Sequence, residues 1–215
     1  MMTIETYDSG LLHSNMYVIK ENGHAVVIDP CENTEPGEHV TVDWILLTHE
    51  HYDHISGVNA WKAKTGGRVL CSGPCADRLG DPRKTLTKLF PVFCQMQTWF
   101  ELDSIPRTDT EYRCQADQTF EQEYTVQWLD HKIRLTETPG HSPGSILILL
   151  DGRYLFSGDT IFEDRAVALR FPGGSARQWE EQGKPVVNRL PDGLQVYPGH
   201  FGPFILNGQQ KRKEG

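Results

Sequence analysis

Several things are scarce in this chain, and each shortage narrows what it can do. Its 215 residues carry 21 lysines and arginines against 29 aspartates and glutamates, a formal charge of -8. A broad basic surface for nucleic acid is therefore not expected. The longest apolar run, Ser145 to Leu150, is far shorter than the ~20 residues that a membrane-spanning helix needs. Met1-Met2-Thr3-Ile4-Glu5 lacks the basic start and apolar stretch of a secretory leader, so a cytoplasmic location is expected. Cysteine is sparse and odd in number: Cys31, Cys71, Cys75, Cys94 and Cys114. Cys71 and Cys75 have no second pair at zinc-ribbon spacing, which makes the five small buried hydrophobes of a reducing compartment. There is no internal repeat and no interdomain linker, and a single domain over residues 1–215 with one substantial core is expected.

What the chain has in excess is histidine in one place. Thr48-His49-Glu50-His51-Tyr52-Asp53-His54 puts three imidazoles and a carboxylate within six residues, His49 to His54. The apolar run Trp44 to Leu47 before it reads as a buried strand, and Val58 to Ala63 after it has the composition of a helix. A strand-to-helix turn is a rigid support for ligands. Imidazole nitrogen and carboxylate oxygen are donors that zinc, iron and manganese accept. Further along, His141, Asp159 and His200 each lie in a glycine-containing turn after an apolar run. Six or seven such donors on four loops exceed what one ion takes, so two metal ions are inferred.

The rest of the chain reads as a mixed α/β layer protein. Leu11 to Lys20 and Ala25 to Asp29 are strands joined by a turn at Asn22-Gly23. Val40 to Leu47 leads into the histidine cluster, and Arg68 to Cys71 forms the next strand. Residues 73–120 are punctuated by Pro74, Pro82, Pro91 and Pro106. They are expected to form short helices and loops rather than core strands, their aromatic side chains making a small accessory core on the main sheet, a cap that walls a substrate pocket, or both. Tyr124 to Leu129 and Lys132 to Thr136 form a hairpin with His131 at its exposed turn. Ser145 to Leu150 and Arg153 to Ser157 form another. Ser175 to Arg189 is helical with a break near Gly183-Lys184-Pro185, and Gln195 to Tyr197 is a last strand. His13, His24 and His39 fall outside every motif and are read as non-ligands. Tyr52 is read as packing, and Asp29 either supports a ligating histidine or caps the Asp-Pro turn.

These segments resemble the metallo-β-lactamase superfamily, whose members carry an H-x-H-x-D-H cluster followed by distant His, Asp and His. The likeness extends over Ser14 to Ile19, Val27 to Pro30, the His49 cluster, Thr138 to Gly144, Phe156 to Phe162, Phe171 to Gly174 and Val196 to His200. It implies a four-layer αβ/βα sandwich with the metals at one edge, between two sheets. Within the superfamily, Ser157 to Phe162, the Pro-Gly-Gly segment and Tyr197 to His200 are similar to the glyoxalase II-like branch. Phe201 departs from that pattern where a second glycine is common, as does Cys31 where glycine usually follows Asp-Pro.

The resemblance assigns His49, His51 and His141 to a first metal and Asp53, His54 and His200 to a second, with Asp159 bridging. It implies zinc foremost, with iron or manganese as the other candidates, and a metal-bridging hydroxide that attacks a thioester or related ester. Asp53 would orient that nucleophile. Arg165 and Arg170 lie where substrate-binding residues of the branch are expected and suit an anionic small molecule. The competing readings are a mononuclear iron enzyme similar to persulfide dioxygenases, a lactone or β-lactam hydrolase, and a non-catalytic binding protein. No nucleic acid or membrane partner is expected, and a dimer is allowed.

Overall fold

The computed structural model describes residues 1–32, 34, 40–98 and 108–211. Its strands form two six-stranded sheets. The first runs in chain order through β1 (Thr3–Asp8), β2 (Asn15–Glu21), β3 (His24–Ile28), β4 (Thr41–Leu46), β5 (Arg68–Ser72) and β6 (Gln118–Phe120). β1 to β3 pair antiparallel, and β3 to β6 pair parallel. The second holds β7 (Glu123–Trp128), β8 (His131–Glu137), β9 (Ile146–Leu150), β10 (Tyr154–Gly158), β11 (Gln195–Pro198) and β12 (Phe204–Ile205), again in neighbouring order. Only β10 and β11 pair parallel there.

The near-continuous apolar runs follow from burial of both sheet faces. Along β2, Tyr17 and Ile19 point between the sheets while Met16 and Val18 point to the helices outside. Along β9, Ile146, Ile148 and Leu150 meet the first sheet, and Leu147 and Leu149 face the opposite helical layer. Helices α1 (Tyr52–Ile55), α2 (Val58–Thr65), α3 (Gly73–Leu79) and α4 (Phe90–Met96) lie on the first sheet's side. On the other side, α5 (Ala176–Gln178), a π-helical turn (Trp179–Gly183) and α6 (Lys184–Asn188) bury Trp179 and Val187 against β9 to β11, and α7 (Gly208–Lys211) closes the described chain. The result is an α/β sandwich of four layers, as expected.

Some boundaries differ from the sequence expectation for identifiable reasons. The β2–β3 turn forms at Asn22-Gly23, both in the left-handed region (φ 50° and 81°) that this tight turn needs. The strand expected from Leu11 starts only at Asn15, because Leu12 and His13 also take positive φ, 52° and 54°. Residues 73–120 are not solely helix and loop: β6 adds an edge strand to the first sheet, through three residues too few to give a periodic signal. β1 and β12 are likewise edge strands whose patterns were not read. The helix after Ser175 does not break at Gly183. A π-helical turn carries it on, and Pro185 sits in the first turn of α6, where no intrahelical N–H is missed. His131 is not at an exposed turn but opens β8, 2.7 Å from Glu21 of the first sheet and 2.6 Å from Asp151 of the second. Trp99, Phe100 and Pro106 of the expected cap, and His39, lie outside the described residues.

Candidate metal centre

All seven side chains of the two expected ligand sets come to one edge of the sandwich. The His49–His54 turn follows β4, His141 lies in the β8–β9 loop, Asp159 directly follows β10, and His200 follows β11. These loops are tied across the sheets: the Ile146 N–H donates to the Thr48 carbonyl (2.8 Å), and the Gly199 N–H to Gly158 (2.8 Å). The His200 loop is further held by Asn15, whose amide donates to Pro198 and Phe201, and by the Tyr17 hydroxyl on Pro198.

Four of the imidazoles are oriented by a bond on the far side of the ring. His141 Nδ1 donates to the Ala168 carbonyl (2.8 Å) and His200 Nδ1 to Leu12 (3.0 Å). His54 Nδ1 donates to Asp29 Oδ2 (3.0 Å). His49 Nδ1 reaches the Thr48 hydroxyl (3.0 Å), which itself donates to Asp29 Oδ2 (2.6 Å). Each bond fixes the tautomer and leaves Nε2 as a lone pair turned inward. Asp29 also accepts the Thr48 N–H (2.7 Å), so it orients His54 and shapes its own turn at once.

The inward atoms have no protein answer. His49 Nε2, His51 Nε2, His54 Nε2 and Asp159 Oδ1 are buried without a hydrogen-bond partner. His51 Nδ1 faces His141 Nε2 at 3.0 Å. Ligand atoms of His49, His51 and His141 fall within 4.8 Å of one another, and so do those of Asp53, His54 and His200. Asp159 lies between the groups, with Oδ1 3.5 Å from His54 Nε2 and Oδ2 3.5 Å from both His141 Nε2 and His200 Nε2. Buried polar atoms left unpaired are costly, and this donor set fits divalent cations. Asp29, His49 and His54 also approach one another, but the carboxylate there is already taken by Thr48 and His54.

The electrostatics separate the two groups. Burial lowers His49, His51 and His141, with crowding by neighbouring imidazoles adding to it at His49 and His51, and His51 falls to about 3. These three are neutral donors. Burial also opposes charge on His54 and His200, but Asp53 and Asp159 outweigh it and raise both. In return Asp53 and Asp159 stay ionised despite their burial.

A cavity of about 370 Å3 opens over these residues. Arg170 lines it. Arg165 does not: its guanidinium stacks 3.8 Å above the Phe201 ring and bonds Asp164. Tyr52 is buried edge-on to Phe90 and Tyr112, as packing. His13 pairs with Asp8 and His24 with Asp43, away from the ligands. The five cysteines are buried.

Sequence reasoning missed Glu50, which is 1% exposed. Its Oε2 accepts from the Ser142 hydroxyl (2.8 Å), and Arg78 Nε lies 3.4 Å away. Burial pushes its carboxyl up to about 7, against the Ser142 bond. It thus joins the His49–His51 turn to the His141 loop. Its place between two histidines was the only signal. Leu12 and Phe171 on the cavity wall were also missed.

Residues 9–200 match the family described as the Metallo-beta-lactamase superfamily. The chain belongs to that superfamily. A hydroxyacylglutathione hydrolase of Anaeromyxobacter dehalogenans is 30% identical over 189 residues, covering 86% of this chain and 60% of the relative. A Dictyostelium discoideum relative, glyoxylase B2, is 29% identical over 75% of this chain and 50% of its own. The chain thus spans only 50–60% of the length of these superfamily relatives. Among solved structures, the BLEG-1 B3 metallo-beta-lactamase shares the fold with a TM-score of 0.71 at 24% identity, over 94% of each chain. No helix of the described residues is long and apolar enough to cross a membrane.

Proposed function

We propose that the protein is a metal-dependent hydrolase that uses two divalent cations, zinc foremost, to cleave a thioester or related ester in a small molecule. One observation carries the reading: His49, His51 and His54 Nε2 and Asp159 Oδ1 converge at a buried point where no hydrogen-bond partner meets them, beside the ligand atoms of His141, Asp53 and His200. His49, His51 and His141 would hold one cation and Asp53, His54 and His200 the other, with Asp159 shared. When bound, the cations supply Lewis acidity, which polarises a carbonyl and lets water ionise near neutral pH. The relatives' names point the same way.

The chain's own residues do the rest. Asp53 offers an ionised oxygen that would orient the attacking water. Neutral imidazoles in the first group leave its cation's charge unspent. The apolar cavity wall keeps bulk water from the reacting carbonyl. Arg170 stands at the wall to receive an anionic part of the substrate.

The test is metal analysis of the purified protein paired with an acyl-thioester panel that includes S-lactoylglutathione. Two zinc ions per chain, with turnover lost to a chelator and restored by zinc, are expected. A fully loaded protein that turns over no member of the panel overturns the reading. Asp53→Ala with undiminished turnover removes the role given to Asp53.

A further inference from the structure

We propose that the substrate is amphipathic: an ester or thioester that joins an apolar arm to a part bearing one anionic group. The proposal rests on the hydrolase reading only for which bond is cut. Its basis is the wall of the cavity rather than the ligands at its base. Phe90, Phe93 and Met96 of α4 line that wall together with Leu12 and Phe171. Phe93 meets Phe171 edge-on at 5.6 Å between ring centroids, and Phe171 meets His141 (5.6 Å) and His51 (5.9 Å) in the same way. An aromatic surface therefore runs from the cap down to the first group of imidazoles.

Part of that surface is packed and part is open. Phe90 is buried against Tyr52 and anchors α4. Phe93 is half-buried, and Met96 is 74% exposed among the described residues. Open apolar carbon beside reactive donors suits an apolar ligand group. A lactoyl group, small and hydroxylated, would leave that carbon unused. At about 370 Å3, the cavity sits near the small end of the ~300–1,000 Å3 typical of small-molecule sites.

Charge on the wall is as sparse as polarity. Arg170 is the one lysine or arginine among the described lining residues. It is exposed beside Phe171, and no ion pair is formed by it among the described residues. A single guanidinium matches a single carboxylate or phosphate on the substrate. Apolar arm and anionic group together define the class.

Two sets of compounds test this on the metal-loaded protein. The first is a series of 3-mercaptopropionate thioesters with acetyl, butanoyl, hexanoyl and octanoyl arms, and kcat/KM is expected to climb by up to about fourfold per added methylene. The same acyl arms on a neutral thiol, N-acetylcysteamine, should show a raised KM, and Arg170→Gln should abolish the difference between the two thiols. Phe93→Ala, and separately the exposed Met96→Ser, should flatten the dependence on chain length. The second set replaces each thioester by the non-hydrolysable S-alkyl thioether, whose affinity is read by calorimetry. Octyl should bind far more tightly than methyl whether or not the protein hydrolyses anything. Hydrolysis with no dependence on arm length, or with lactoyl preferred, overturns the proposal and leaves the hydrolase reading standing. Thioether binding that follows arm length without turnover does the reverse. Equal affinity of methyl and octyl thioethers overturns it outright.

Discussion

Asp29 holds His54 directly and His49 through the Thr48 hydroxyl, and asparagine in its place puts a magnitude on that support. The carboxylate accepts three bonds: from the Thr48 N–H, the Thr48 hydroxyl and His54 Nδ1. Its backbone takes φ 51°, a region asparagine tolerates as well as aspartate, so Asp29→Asn adds no strain. Asparagine keeps one oxygen acceptor and loses the charge. Hydrogen bonds to a charged group contribute ~1.5–3 kcal/mol each, against ~1 kcal/mol for neutral ones. With that oxygen kept for the Thr48 N–H, the amide NH2 stands where Oδ2 accepted, so the His54 bond is lost at a cost of roughly 1.5–3 kcal/mol, and the ring is freer to turn its Nε2 away from the metal site. Loss of such a supporting partner lowers metal affinity by ~10–100-fold. Zinc titration against a competing chelator is expected to show the equivalent held by His54 weakened by that factor and the one held by His49, which reaches Asp29 only through Thr48, weakened less. Asp29→Ala should weaken it further and also destabilise the fold, because alanine pays for the left-handed backbone. An Asp29→Asn protein that binds both equivalents with wild-type affinity refutes the reasoning.

Glu50→Ala removes an acceptor of the Ser142 hydroxyl, which keeps Ser145, and the carboxylate facing Arg78, and is expected to weaken the first zinc equivalent and destabilise the fold by ~1–3 kcal/mol, measured by chelator competition and denaturant unfolding; unchanged values would show that the link to the His141 loop carries nothing. A methyl built on Gly199 overlaps Asp159 Oδ1 and comes within 2.9 Å of His54 Cε1, so Gly199→Ala should lose zinc binding while Gly202→Ala, in open space, does not. His131 is raised overall: burial lowers it, but its bonds to Asp151 and Glu21 prevail. A raised pKa contributes stability that is full below the unfolded value of ~6.5 and fades as pH rises through the folded one. Glu21, in turn, is lowered by its His131 bond and loses its share as pH falls into the carboxylate range. His131→Gln should therefore trail the wild type most between about pH 5 and 6.5, with the gap closing at higher pH in thermal melts; a gap that widens above pH 8 would contradict the assignment. Saturating zinc should raise the melting temperature, by about 2.7 kcal/mol of stabilisation at a hundredfold excess over Kd, and calorimetry that shows no shift would count against a bound cation.

The α/β layers and the seven clustered donor side chains were legible in the order of the residues. Strands buried on both faces read as continuous apolar runs, and β2, β9 and β10 declared themselves in that way. The His49–His54 cluster was legible because its donors are close in the chain, and His141, Asp159 and His200 because each follows a strand end through a turn. Short edge strands such as β6 and β12 gave no periodic signal, since pairing with a distant neighbour rather than their own pattern makes them strands. The tertiary structure alone decided what depends on approach between distant segments: the Ala168 and Leu12 carbonyls that turn His141 and His200 inward, the service of Glu50 to a loop some ninety residues away, and the separation of Arg170 from Arg165. Five residues apart, those two arginines are alike in sequence, and only the path of the backbone between them puts one at the cavity and the other over Phe201. Periodicity records a residue's immediate surroundings, whereas a site is made by the closure of loops that the chain order does not bring together.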